Sequence, residues 1–385
     1  MSTSVPFGAT AGRASTTAAP ITVADTTGPA ARVGAWVVLL GTVITTIGVS
    51  WDIQWHVDVG PDTFFTVPHL FLYSGSAVSG FASLAMVIMA TAAQRAGRPV
   101  PRAGGTPVRV FGGALTVPLG YLVSGAGAAS FLLYGLMDLQ WHSIYGFDAV
   151  LDTPAHVALG LAMTTTMIGG VIVFAAHRDE LWGRIGFVAA LAVLVPHLPN
   201  PFVALSRLEL PVDPVLGGTV LCTAMLLLIG AIVLGRPGAA LIVAAATGAQ
   251  QAALWWFSPW AAQAYASAIG LPLRDGLEPW PPSFPSGIPM FLGVAALVVE
   301  AAFWLVRARQ GDARKILPLL GTVIGVIVAV SMPLQFILTA PLAHFATSEV
   351  VLTAVLGIPL GLLAGFLGGR FAAMLLTLAP AEEIR

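Results

Sequence analysis

Apolar residues run along this chain in ten stretches long enough to cross a bilayer, separated by short polar connections. They lie at 33–51, 67–92, 111–135, 155–176, 184–206, 214–235, 237–257, 286–306, 316–339 and 348–369. Each stretch predicts a helix, because a segment in hydrocarbon must satisfy its backbone polar groups internally. Pro196, Pro199 and Pro201 interrupt the fifth stretch and predict a break there. The fold class expected is all-α: a polytopic integral membrane protein of about ten transmembrane helices.

Composition agrees with that pattern: 57% of residues are hydrophobic, 9% are charged and the mean hydropathy is +0.88. Residues 1–32, rich in Ala, Thr, Ser and Pro, read as a flexible cytoplasmic tail. They do not read as a secretory signal, since the first apolar run spans a full bilayer. Residues 33–176 form an N-terminal unit, 177–378 a further helical bundle, and 379–385 a second cytoplasmic tail. The single Cys222 lies in an apolar run, so any metal must be held by nitrogen and oxygen. A net charge of −1 with no basic patch gives no reason to expect nucleic acid as a partner. Of the 17 basic residues, all but Arg207 and Arg274 fall before the first span, in even-numbered connections or after the last span. The positive-inside rule then puts both termini in the cytoplasm and the odd-numbered connections outside a plasma membrane.

Two of those outer connections carry the same pattern. Asp52, Trp55, His56, Gly60 and Asp62 return 86 residues later as Asp138, Trp141, His142, Gly146 and Asp148. His69 returns as His156, one position further on. Each copy follows one span and precedes the next, so residues 33–92 and 111–176 read as a tandem duplicated helical hairpin. Asp52 and His56 lie four apart, on one face of a continuing helix. A hairpin returns His69 to the same level. One carboxylate and two imidazoles then converge, a set that suits Cu(II), Zn(II) or non-haem Fe(II). The expected ligands are Asp52, His56 and His69 in the first copy, and Asp138, His142 and His156 in the second. Asp62, Asp148, Asp152 and His197 are candidates for supporting roles, Asp62 also as a ligand. Two mononuclear sites and one dinuclear centre both accommodate these six ligands.

The first copy resembles the C subunit of the copper-dependent membrane monooxygenases, the particulate methane and ammonia monooxygenases. The resemblance rests on Asp52, Trp55, His56, Asp62, Thr63, Phe65, Thr66, His69 and Tyr73, and more loosely on Thr153-Pro154-Ala155-His156. It implies that Asp52, His56 and His69 hold copper. It also implies an oxidoreductase that uses O2 on a small apolar substrate, with partner subunits supplying reductant. The family pattern occurs once per chain; here it occurs twice. The alternative expectation is a non-enzymatic protein that captures, stores or transports copper or zinc, alone or as a homo-oligomer.

Other polar positions carry bland expectations. Trp55 and Trp141 read as interfacial anchors, and Glu300 as an interfacial carboxylate. His177 reads as an ordinary loop residue. The segment from Ser258 to Pro285 reads as a long outer connection able to cap the outer face.

Overall fold

Long helices in this chain begin at proline. Pro29, Pro68, Pro154 and Pro214 each occupy the first turn of a helix, where the missing N–H would have had no carbonyl to bond. The structure is a computed structural model; it describes residues 21–24, 27–60, 62–146, 152–208, 210–277, 292–339 and 347–378. The first half runs α1 (Pro29–Asp58), α2 (Val67–Arg95), strands β1 (Pro107–Val110) and β2 (Leu115–Pro118), α3 (Leu119–Tyr145) and α4 (Pro154–Ala175). There follow α5 (Leu181–Leu194), the short α6 (Asn200–Val203), α7 (Pro214–Leu234), α8 (Ala239–Ile269), α9 (Leu292–Ala308), α10 (Leu317–Thr339) and α11 (Thr347–Leu376). Among the described residues, nine helical segments are long and apolar enough to cross a membrane. The described part of α9, 17 residues, overlaps the eighth expected span and runs slightly past its end. The chain is an all-α polytopic protein, as its apolar pattern predicts.

Boundaries differ from expectation in three places. The third span starts at Leu119 rather than 111, because residues 107–118 pair as an antiparallel hairpin. Val108, Val110, Thr116 and Val117 suit strands, and Phe111, Gly112 and Gly113 turn the chain through positive φ. The seventh span continues through Pro259 to Ile269, so Ser258–Ile269 is helix rather than connection. Ala261, Ala262 and Ala266 pack that extension against Trp51 and Trp55 of α1. The N-terminal tail is tied down at its end: Ala24 N–H donates to the Val100 carbonyl and Val100 N–H to that of Thr22. The expected break in the fifth span is present, with a 3₁₀ turn over Val195–His197 between α5 and α6.

Duplication reaches beyond the polar motif into the helix packing. α1 packs on α2, α3 on α4, and α2 lies against α3. A Cβ at Gly41 on α1 would collide with Ser79 and the Gly75 carbonyl on α2. A Cβ at Gly127 on α3 would collide with Thr166 and the Ala162 carbonyl on α4. The glycines are 86 residues apart and their partners 87, the same one-residue slip that separates His69 from His156. Close backbone approach through small residues is how helices associate without a hydrophobic driving force.

Basic connections gather at one end of this bundle. Arg102 pairs with Asp179 at 2.7 Å, Arg32 with Glu180 at 3.7 Å, and Arg178 donates to the Leu376 carbonyl at the end of α11. The connections carrying both motifs lie at the other end, where Arg207 pairs with Asp152 and Arg274 N–H donates to the Asp58 carbonyl. Glu300 on α9 accepts from the N–H groups of Gly238 and Ala240, both at 2.8 Å, and so caps α8 from a neighbouring helix.

Candidate metal centre

Helical periodicity puts Asp52 and His56 on one face in the last two turns of α1. Thr63 then makes a tight local turn: its hydroxyl accepts from Phe65 N–H, and its carbonyl from Thr66 N–H. That turn launches α2 with His69 in its first turn, facing back at α1. The result brings Asp52, His56, Asp62 and His69 together, with one potential ligand atom from each lying within 4.8 Å of the others. His69 Nε2 stands 3.1 Å from Asp52 Oδ1 and 3.3 Å from Asp62 Oδ2. His56 Nε2 stands 3.5 Å from Asp62 Oδ2 and 4.0 Å from Asp52 Oδ2. The second copy folds the same way. Asp138 Oδ1 lies 3.4 Å from Nε2 of both His142 and His156, and these three form a second convergent group. Thr153 caps α4 by accepting from His156 N–H, which fixes that histidine at the helix start.

Which ring nitrogen carries hydrogen follows from the backbone. His56 Nδ1 faces the Gly60 carbonyl at 3.1 Å, His142 Nδ1 the Gly146 carbonyl at 3.0 Å, and His69 Nδ1 the Thr63 carbonyl at 2.9 Å. A carbonyl only accepts, so each of these Nδ1 atoms donates and each ring turns its Nε2 towards the carboxylates. Those nitrogens point at carboxylate oxygens. Asp52 Oδ1, both oxygens of Asp62 and Asp138 Oδ1 are buried without a hydrogen-bond partner. Nε2 atoms and carboxylate oxygens 3.1–3.5 Å apart can share a proton or a bound cation. Burial pushes the Asp62 carboxyl above its ordinary range, opposed by the imidazoles of His69 and His56, so the same cation would remove a desolvation cost. This donor set fits a first-row dication. Asp52, His56, Asp62 and His69 would hold one ion with four protein ligands. Asp138, His142 and His156 would hold another with three and an open position.

Both groups open into one cavity of about 420 Å³. Its walls combine the seven candidate ligands with Val49, Ile53, Leu72, Tyr73, Phe131, Leu159, Met163 and Arg274. Asp62 lies within electrostatic reach of His142, which makes the two groups neighbours across this space.

The remaining expected site residues are placed differently. His197 is wholly buried in the break after α5, with Nε2 3.0 Å from the Thr46 hydroxyl, and it belongs to neither group. Asp152 is held by Arg207, whose hydrogen bonds lower its carboxyl below the ordinary range. Asp148 lies outside the described residues. Trp55 is not an interfacial anchor: it is fully buried against Tyr265 of α8. His177 is not an ordinary loop residue either. It is 1% exposed, accepts from Gly104 N–H and lies over the Trp182 ring, and burial pushes its imidazole down to about 4. Arg274, which the sequence marks only as one of two basic residues in odd-numbered connections, lines the cavity from a position more than 200 residues away from Asp52.

Comparison of the chain with protein-family models, with curated proteins and with solved structures gives no match. Fold and site together therefore define a class: a polytopic helical protein of membrane type, with two convergent His/Asp groups facing a shared cavity.

Proposed function

We propose that this protein is an integral membrane metal protein that holds copper at its two His/Asp groups and oxidises a small apolar substrate with O2. The observation that carries the metal reading is the convergence of imidazole Nε2 atoms on buried carboxylate oxygens that have no hydrogen-bond partner. Copper is the choice among dications on two grounds: the imidazole-carboxylate donor set, and the resemblance of Asp52, His56 and His69 to the copper ligands of the monooxygenase C subunit. The three-ligand group at Asp138 leaves room for an exogenous ligand, and apolar walls at Val49, Ile53, Leu72, Phe131, Leu159 and Met163 suit a substrate arriving from the bilayer. Bound copper would supply redox chemistry. The residues of this chain orient the imidazoles through Gly60, Gly146 and Thr63 and keep the cavity largely apolar. Electrons come from partner subunits. The gathering of basic connections at one end supports cytoplasmic termini, with the metal groups at the outer face of the cell membrane.

A second reading has its own support. The four-ligand group around Asp62 is closed by protein, as in sites that hold a metal rather than react through it. That favours copper or zinc capture or storage. The two readings separate on purified protein: metal analysis and copper EPR identify the ion, and O2 uptake with an added reductant tests turnover. Copper with reductant-dependent O2 uptake, lost in Asp138→Ala, supports the oxidase reading. Stoichiometric metal without O2 uptake, even with native membrane partners present, supports storage.

A further inference from the structure

We propose that Arg274 makes the shared cavity a binding site for a small anion, held between the guanidinium and the metal ions. This rests on the metal reading above and adds a ligand class to it.

The two arginines at this end of the bundle are treated differently by the fold. Arg207 is neutralised by Asp152, which accepts from both its Nε and Nη2. Arg274 is not: among the described residues no carboxylate lies within ion-pair distance of it. Its main-chain N–H is taken by the Asp58 carbonyl at 2.8 Å and its Nε by the Val59 carbonyl at 3.4 Å. These two contacts lay the guanidinium against Gly60, where a Cβ would collide with it, and Arg274 forms part of the cavity wall. Arginine stays charged at any ordinary pH and presents its donors in a fixed fork that matches an oxyanion.

Charge balance points the same way. The described carboxylates lining the cavity are Asp52, Asp62 and Asp138, all turned to the imidazoles. Two divalent ions with neutral imidazoles outweigh those three carboxylates by one unit, and Arg274 raises the excess to two. The low-dielectric walls focus that excess into the cavity. The three-ligand group leaves a coordination position for the anion, and Arg274 supplies its hydrogen bonds. Azide, cyanate or formate has the required size and charge.

The test uses the metal-loaded protein in detergent and azide as the probe. Metal content is measured first for wild type, Arg274→Gln and Arg274→Lys; azide affinity then comes from the ligand-to-metal charge-transfer band or the EPR shift. We expect equal metal content in all three proteins. Azide binding should weaken at least about tenfold in Arg274→Gln, the worth of one charge-assisted hydrogen bond. Arg274→Lys should recover part of the loss, with the salt dependence of wild type. Equal azide affinity at equal metal content overturns the anion site and leaves the metal reading intact. Loss of metal in Arg274→Gln also overturns it, because Arg274 would then act by bracing the Val59–Gly60 turn. Wild-type protein without metal overturns both readings.

Discussion

Gly60 and Gly146 carry the backbone through φ of +105° and +82°, and so turn their carbonyls back onto the imidazoles of His56 and His142. Side chains other than glycine adopt that conformation only under strain. Their recurrence at the same offset is visible in the sequence, but their purpose is not, because a carbonyl leaves no mark in a residue pattern. Asp52, His56 and His69 were legible for the opposite reason: helical periodicity and a proline-started helix fix where their side chains go. Asp62 was legible only as an ambiguous carboxylate, and its burial within 3.5 Å of two Nε2 atoms makes it a fourth ligand candidate. Gly60→Ala adds strain and a collision with Arg274. It should weaken metal binding at the first group about 10–100-fold, the usual effect of disturbing a ligand's supporting hydrogen bond. The second group should be unaffected. Chelator-competition titration measures this; an unchanged first site would mean that the Gly60 carbonyl does not orient His56.

Helices, as elements, followed the apolar pattern closely, and their ends did not. Pro259 would ordinarily end a helix, yet α8 continues because the three alanines beyond it bury against Trp51 and Trp55. That contact joins residues some 200 positions apart, which local sequence cannot report. The partners of Glu300 are hidden for a similar reason. Its carboxylate reads as interfacial, and only the fold shows that it caps the N-terminus of α8. The paired glycines give the duplicated hairpins equivalent seams, so their mutations should act alike. Gly41→Leu and Gly127→Leu should each destabilise the folded protein by about 1–3 kcal/mol, the range for overpacking a tight contact. Thermal unfolding in detergent measures both losses. A large loss for one and none for the other would show that the two hairpins do not share a packing scheme.

At the scale of the whole molecule, the fold holds its connections together by two different chemistries. The motif end carries convergent carboxylates and imidazoles; the opposite end is closed by Arg102, Asp179, Glu180, Thr27 and buried His177. Burial lowers the His177 imidazole from its ordinary 6.5 to about 4. Unfolded chains therefore take up more protons than folded ones between those values, and stability is intact above about 6.5 and lost as pH falls through the window. The full effect is about 3 kcal/mol. Asp179 and Glu180 titrate below their ordinary range, since burial, which would raise them, is outweighed by hydrogen bonds from Arg102 and from Thr27 and Trp182, and they add loss only at the acidic end. Melting temperature in detergent should fall from pH 6.5 towards pH 4, with a shallower slope in His177→Gln. An identical slope in the variant would remove His177 from the account.

Metal stoichiometry tests the central claim most directly. Purified wild type should hold two metal ions per chain, one at each His/Asp group. His56→Ala and His142→Ala should each hold one, and the double variant none. Wild type with no bound copper, zinc or iron, or a double variant that keeps its metal, would contradict the assignment of these hairpins as the metal centre.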